Sequence, residues 1–205
     1  MTEKEKMLAG MIYDPSEDEL QTLRTTAHNL CNAYNKLNED DDKRKEVLAK
    51  LLPQGNGVYL QGPIYFDYGV FTKFGKNCYA NFNLTVLDCC PVTIGDNVFI
   101  GTGVSIVTPV HPLLPTERNM YEKENGVMTD KEYAKPIAIG SNCWIASNVT
   151  VCGGVTIGDG CVIGAGSVVT RDIPSGTFAA GNPCRVIRKI TENDSIYLKP
   201  QLWKK

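Results

Sequence analysis

The chain has 205 residues, of which 42% are apolar, so it is long enough to bury a core of its own. A formal net charge of −2 without any basic stripe argues against a nucleic-acid partner. No apolar run reaches the length of a membrane span, and the opening MTEKEKMLAGMIYD is too polar for a secretory leader, so no membrane partner and a cytoplasmic location are expected.

Residues 1–56 read as helical. Asp14-Pro15-Ser16-Glu17 has the form of a helix start, with a capping carboxylate, a proline in the first turn and acids near the positive end of the dipole. Beyond it Leu20, Leu23, Ala27, Leu30, Cys31 and Tyr34 fall on one helical face. Asp40-Asp41-Asp42 opens a second helix carrying Val47, Leu48, Leu51 and Leu52, and Pro53-Gln54-Gly55-Asn56-Gly57 stops it. The acidic run reads as capping and solvated surface, not as a metal site.

From residue 57 to about 178 the pattern changes to a period of six. Phe74, Ala80, Val86 and Val92 hold one phase, Ile94, Ile100 and Ile106 a second, and Ile139, Ile145, Val151, Ile157, Ile163 and Val169 a third. Six is neither the helical period nor that of an ordinary strand, and it marks a parallel β-helix in which three hexads make one coil of about 18 residues. Roughly six coils are expected on that repeat length. Asn or Gly recurs at Asn77, Asn97, Gly103, Asn142, Asn148, Gly154, Gly160 and Gly166, where corners need left-handed backbone angles. Cys78, Cys90, Cys143 and Cys161 sit four residues after a hexad apolar residue, a place for small side chains, so the eight cysteines read as packing residues rather than disulfides. No CxxC pair offers a metal site, and adjacent Cys89 and Cys90 are expected on opposite faces.

One interval breaks the period. Between Ile106 and Ile139 lies a polar, proline-containing excursion, residues 107–137, and long loops on a rigid scaffold usually carry function. It holds one of the two histidines, His111, flanked by Val110 and Pro112, whereas His28 belongs to the N-terminal helix. A positioned neutral imidazole is a natural general base for an alcohol. The remainder, residues 179–205, begins with a tail, GNPCRVIRKI, that concentrates cations.

These features together resemble the hexapeptide-repeat acyltransferases, and among them the sugar O-acetyltransferases of the maltose, galactoside and nodulation type. The resemblance covers nearly the whole chain. It rests on EKEKMLAG with the following YDP, on Ala80-Asn81-Phe82-Asn83, on Leu87-Asp88-Cys89-Cys90-Pro91-Val92, on His111-Pro112-Leu113 with Glu117-Arg118-Asn119, and on Gly181-Asn182-Pro183 followed by Arg185-Val186-Ile187-Arg188. It implies a mainly β fold: a left-handed parallel β-helix with an N-terminal α-helical cap and one long excursion loop. It also implies a homotrimer with active sites between subunits, acetyl-CoA as donor without a required metal, and a sugar hydroxyl as acceptor in a ternary complex.

Carried over residue by residue, the resemblance makes His111 the catalytic base and a backbone N–H near Ser147 an oxyanion donor. It points to Asn81, Asp88 and Asp67 as acceptor contacts. Glu132 is a candidate for orienting the histidine and for the acceptor site, beside the plainer role of a loop surface charge. Asp14 has two open roles, an acceptor contact or a helix cap. Trp144, Ser147, Ala165, Thr170 and Arg171 match the donor groove, and Arg185 and Arg188 on the tail suit its phosphates because guanidinium forks pair with them. The galactoside branch has an acidic residue where this chain has Cys89, which favours a maltose-like or glucose-like acceptor. A xenobiotic acetyltransferase on the same scaffold would lack the cap and the NFN–LDCCPV stretch, a hexapeptide carbonic anhydrase would need three histidine ligands, and a non-catalytic trimeric scaffold would lack the loop histidine.

Overall fold

The computed structural model of the protein describes residues 1–55 and 57–203. Asn56 of the expected helix stop and the last two residues of the expected tail lie outside them. Three helices form the cap: α1 (Glu3–Leu8), α2 (Asp18–Asn35) and α3 (Lys43–Leu51). A capping box closes the start of α1, where Thr2 N–H donates to Glu5 and Thr2 Oγ1 accepts from Glu5 N. The expected start of α2 is displaced by three residues. Glu17, not Asp14, is its N-cap, accepting from Glu19 N and Leu20 N, because the carboxylate of Asp14 is bonded elsewhere. The buried face of α2 is Leu20, Ala27, Cys31 and Tyr34.

The rest of the chain winds into a three-sided coil of stacked parallel strands. Face I stacks Tyr59–Leu60, Tyr79–Ala80, Phe99–Ile100, Trp144–Ile145, Val162–Ile163 and Thr177–Ala180. Face II stacks Ile64–Phe66, Leu84–Leu87, Ser105–Val107, Thr150–Cys152 and Val168–Val169, and face III stacks Thr72–Phe74, Val92–Ile94, Ile137–Ile139 and Thr156–Ile157, with Ile173 bridged to Ile157. The coil therefore completes five turns and begins a sixth. Inward columns such as Ala80, Ile100, Ile145, Ile163 and Ala179, each fully or almost fully buried, form the core. Burying one such Ile or Val contributes about 1.5–3 kcal/mol, so the columns dominate stability.

The phase slip has a structural cause. Val92 pairs with Thr72 and Ile94 with Phe74, so both phases point inward on one strand. The first two coils are wider than three hexads, and the extra residues lie at the corner between faces II and III, within 67–71 in the first coil and in Asp88-Cys89-Cys90-Pro91 in the second. Cys89 and Cys90 are consequently both buried against the cap, not on opposite faces, and Cys90 donates to Leu8 O instead of filling a coil slot. Cys78, Cys143 and Cys161 do fill such slots, with Sγ 3.0, 3.1 and 3.2 Å from carbonyl oxygens of the next coil. All eight cysteines are free.

All eight corner residues singled out by the repeat have positive φ. Three of them stack as a ladder, Asn77 donating to Asn97 at 3.2 Å and Asn97 to Asn142 at 3.1 Å. The cap closes the open lower edge of the coil. The amide of Asn35 donates to Ile64 O at 2.9 Å and accepts from Ile64 N at 2.8 Å, taking the place of one more strand. Arg44 is buried there against the ring of Tyr34, donating to Tyr34 Oη, Leu60 O and Gln61 O, an anchor the helical pattern gives no sign of.

Far from being structureless, the excursion leaves face II, pairs Pro109–Val110 antiparallel with Tyr133–Ala134 at its root, and carries a short helix at Pro115–Arg118. A hairpin of Tyr121–Glu122 and Met128–Thr129 follows. At the top, Arg185–Lys189 folds back antiparallel on Thr177–Ala180 and closes face I, so the final strand of the coil runs across the expected boundary at residue 178.

Candidate active site

His111 follows the root strand Pro109–Val110 directly, so that strand and its partner Tyr133–Ala134 fix where the imidazole leaves the scaffold. Its ring is half-exposed and its Nδ1 lies 3.2 Å from Asp130 Oδ2. A carboxylate at Nδ1 favours the tautomer with the proton on that nitrogen and leaves the Nε2 lone pair free to accept one. Sequence reasoning offered Glu132 for this place, and the structure gives it to Asp130. Nothing in the sequence separates Asp130 from the other acids of the excursion, since the choice depends on how the two root strands pair.

Glu132 stands just behind. One ligand atom each from His111, Asp130 and Glu132 lies within 4.8 Å of the others. Glu132 is half-buried in the cleft wall rather than a free loop surface charge: its side chain accepts from Tyr13 Oη, and its main-chain oxygen accepts from Tyr13 N at 3.0 Å. Burial raises its pKa, opposed by the hydrogen bond from Tyr13 and the proximity of His111. Tyr13 and Cys89, both buried in the same cluster, are pushed far up by burial and stay neutral. Cys89 lies 3.8 Å from Asp67 Oδ2, and Asp67 Oδ1 lies 3.5 Å from His28 Nε2. Burial raises the pKa of Asp67, with His28 acting against it. Thus Asp67, Glu132 and His111 do share one corner of the coil, between faces II and III.

In front of His111 is an open cleft of about 460 Å³. Met120, Met128 and Pro15 give it an apolar wall, and Gln21 and Arg24 from α2 face it with polar groups. Arg24 has two long hydrogen bonds, to Tyr68 Oη and Pro15 O at 3.4 Å each. It is a cleft residue that sequence reasoning missed, although its place on the polar side of α2 was visible.

Two expected acceptor contacts are turned inward. Asp88 is completely buried and accepts from Tyr68 N at 2.9 Å, Gly69 N at 3.2 Å and Thr72 Oγ1 at 2.9 Å, so it clamps the turn between faces II and III and presents nothing to a ligand. Asp14 accepts from Ser16 N, Ser16 Oγ, Thr129 Oγ1 and Lys123 Nζ at 2.9, 2.7, 2.5 and 2.6 Å. Four donors fill a carboxylate's roughly four lone-pair sites. Burial alone would raise its pKa, but these donors hold it well below the usual carboxylate range. Asp14 therefore ties the cap to the excursion and is neither the cap of α2 nor a free acceptor contact.

The other expected residues lie elsewhere. Asn81 is at the corner between faces I and II, bonded to Phe82 N through its own Oδ1. Ser147 and Ala165 stack above it at the same corner. Gly101 lies beneath Ser147, where a Cβ would stand 2.6 Å from Ser147 N, so the close coil approach at that N–H requires glycine. Trp144 projects outward from face I with 54% of its surface exposed, in one column with Tyr59, Tyr79 and Phe99. Thr170 and Arg171 are exposed at the corner of His111, on a higher coil. Arg185 and Arg188 are on the last strand of face I, and Arg188 is already paired through both terminal nitrogens with Asp194 at 2.7 and 2.8 Å, which leaves it less free for a phosphate than expected.

Comparison with known proteins bears on this arrangement. Residues 6–55 match the maltose acetyltransferase hexapeptide capping motif, residues 136–171 the bacterial transferase hexapeptide (six repeats), and residues 89–111 a hexapeptide repeat of succinyl-transferase. Galactoside O-acetyltransferase of Escherichia coli K12 is 41% identical over 94% of this chain and 92% of its own. The crystal structure of a maltose O-acetyltransferase from Clostridium difficile 630 superposes with a TM-score of 0.86 at 42% identity, covering 94% of this chain and 99% of that one. A hexapeptide-repeat acetyltransferase from Vibrio cholerae O1 biovar eltor, solved with acetyl coenzyme A, superposes at 0.81 with 33% identity over 94% and 100% of the two chains. The coil of stacked parallel strands matches the left-handed β-helix of such enzymes. By repeat, cap and extent of likeness, the chain belongs to the hexapeptide-repeat acetyltransferases that carry a maltose-acetyltransferase cap.

Proposed function

We propose that the protein transfers the acetyl group of acetyl-CoA to a hydroxyl of a sugar, with a maltose-like or glucose-like acceptor. The observation that carries this reading is the pairing of His111 Nδ1 with Asp130 beside an open cleft in an acetyltransferase of this family. Asp130 holds the imidazole with Nε2 toward the cleft. Nε2 takes the proton of the acceptor hydroxyl as its oxygen attacks the thioester carbonyl carbon. The carbon–sulfur bond then breaks, and the imidazolium returns the proton to the departing thiolate. Both substrates are bound together, without an acyl-enzyme and without a metal. The negative oxygen of the intermediate is met by a backbone N–H near Ser147, already in place before charge develops.

His111 and Asp130 stand at one corner of the coil and Asn81, Ser147 and Ala165 at another. A homotrimer that sets the second corner of one subunit against the first corner of the next would complete the site. In that arrangement Asn81 contacts the acceptor, Trp144, Ser147, Ala165, Thr170 and Arg171 line the donor groove, and Arg185 on the tail meets the donor phosphates. A cytoplasmic location goes with this reading, since acetyl-CoA is an intracellular donor, and among the described residues no helix is long and apolar enough to cross a membrane.

Replacing His111 by Ala is expected to lower kcat by about 10²–10⁴-fold, the usual contribution of a general base. Thiol release from acetyl-CoA, followed with maltose, glucose, a galactoside and a xenobiotic alcohol, reads both the loss and the acceptor. Near-normal turnover in His111→Ala would remove the histidine from the mechanism, and a variant-insensitive absence of release with every acceptor would favour a binding scaffold.

A further inference from the structure

The cap reaches the proton-transfer centre itself. Tyr13 lies in the segment between α1 and α2 and is 3% exposed. It meets Glu132 twice: its N–H donates to Glu132 O at 3.0 Å in an antiparallel bridge, and its hydroxyl donates to the Glu132 carboxylate. One contact fixes the main chain of the excursion two residues from Asp130, and the other fixes the direction of the carboxylate. A buried phenol needs a partner for its O–H, and here the partner is the second carboxylate beside His111.

We propose that Tyr13 is a positioning residue for acetyl transfer, holding the Glu132 carboxylate in place as the second carboxylate beside the imidazolium formed on His111. The inference rests on the reading of His111 as the base. Charged or titratable groups reach Glu132 from every side: Tyr13 from the cap, Cys89 from the wide corner with Asp67 behind it, and His111 and Asp130 from the excursion. Tyr13 and Cys89 stay neutral, and Asp67 and Asp130 can only oppose its ionisation. The Tyr13 hydroxyl, the imidazole and the Cys89 thiol each favour a charged Glu132, against burial, which is the larger effect and raises its pKa in the resting protein. When His111 takes up a proton, its positive charge favours the charged form of Glu132, and the carboxylate that Tyr13 holds in place then adds a second negative charge inside a partly desolvated site, where such a charge counts for more than in water. The effect arises after both substrates are bound, so it belongs to kcat and not to donor binding.

Tyr13→Phe keeps the ring in its cluster and removes the hydroxyl alone. It is expected to lower kcat roughly tenfold, the size of losing one hydrogen bond to a charged group, with KM for acetyl-CoA changed less than twofold. Glu132→Gln is expected to lose at least as much, and the double variant to be no slower than Glu132→Gln alone, since Tyr13 acts through Glu132. Full kcat in Tyr13→Phe, or losses that multiply in the double variant, would overturn the proposal. Should Tyr13→Phe not fold, Glu132→Gln carries the test, and an unchanged kcat there would overturn it equally. Activity lost in His111→Ala but intact in Tyr13→Phe sinks this inference alone, whereas activity kept in His111→Ala sinks the base assignment.

Discussion

Single residues show how far residue type can mislead without burial. Asp88 sits in a stretch that also supplies Asn81, and a carboxylate there suits a sugar hydroxyl equally well on paper. Its three donors and complete burial make it part of the turn instead. Asp88→Ala would strand two buried N–H groups and a threonine hydroxyl, a loss of about 2–4 kcal/mol of stability. Chemical denaturation should show that loss, while kcat/KM of the fraction that remains folded stays close to normal. A variant of unchanged stability with a raised acceptor KM would return Asp88 to the substrate site. Cysteines were easier to read, because a slot recurring every coil demands small apolar volume wherever it occurs, and three thiols fill it while donating to carbonyls. Cys89 and Cys90 escaped the rule because they lie in the wide corner, outside the hexads.

At the scale of elements, the repeat announces the strands, and the interruptions carry the chemistry. The excursion was legible as a break in period, but its internal hairpin was not, since its strands are two residues long and exposed at most positions. What holds the hairpin is tertiary: Asp14 reaches Thr129 and Lys123 across the cap. The last strand of face I is a second case. Arg185 and Arg188 look alike in sequence, yet Asp194 claims Arg188 with a bidentate pair. Arg185→Ala is therefore expected to raise KM for acetyl-CoA by about tenfold, in the range of one lost charged hydrogen bond, and to leave the acceptor KM nearly unchanged. Arg188→Ala should raise it less. Steady-state kinetics with each substrate varied in turn would check both, and equal effects on the two KM values for Arg185→Ala would exclude a phosphate role.

For the whole molecule the question is which groups one chain can bring together. The corner between faces II and III gathers His111, Asp130, Glu132, Tyr13 and Asp67, while Asn81 and Ser147 sit across face II. If the site forms between subunits, His111→Ala and Asn81→Ala should each be nearly inactive alone. After subunit exchange at equal amounts, about a quarter of the sites would combine an intact His111 with an intact Asn81, and that share of activity should return. No recovery on mixing, with exchange verified, would place both residues in one chain's site.

The β-helix, the helical cap and the extent of the excursion were legible along the chain, where His111 also stands out as a candidate base. Each follows from a local rule: a period of six, a helical face, a broken period and a residue type held between prolines. Only the tertiary structure decided that Asp130 faces His111, that Asp88 and Asp14 are inward clamps, and that a tyrosine of the cap fixes Glu132. Those choices depend on which corner each segment meets after coiling. A repeat makes every corner look alike along the chain, and only stacking the coils distinguishes a residue that faces the cleft from one that faces the core.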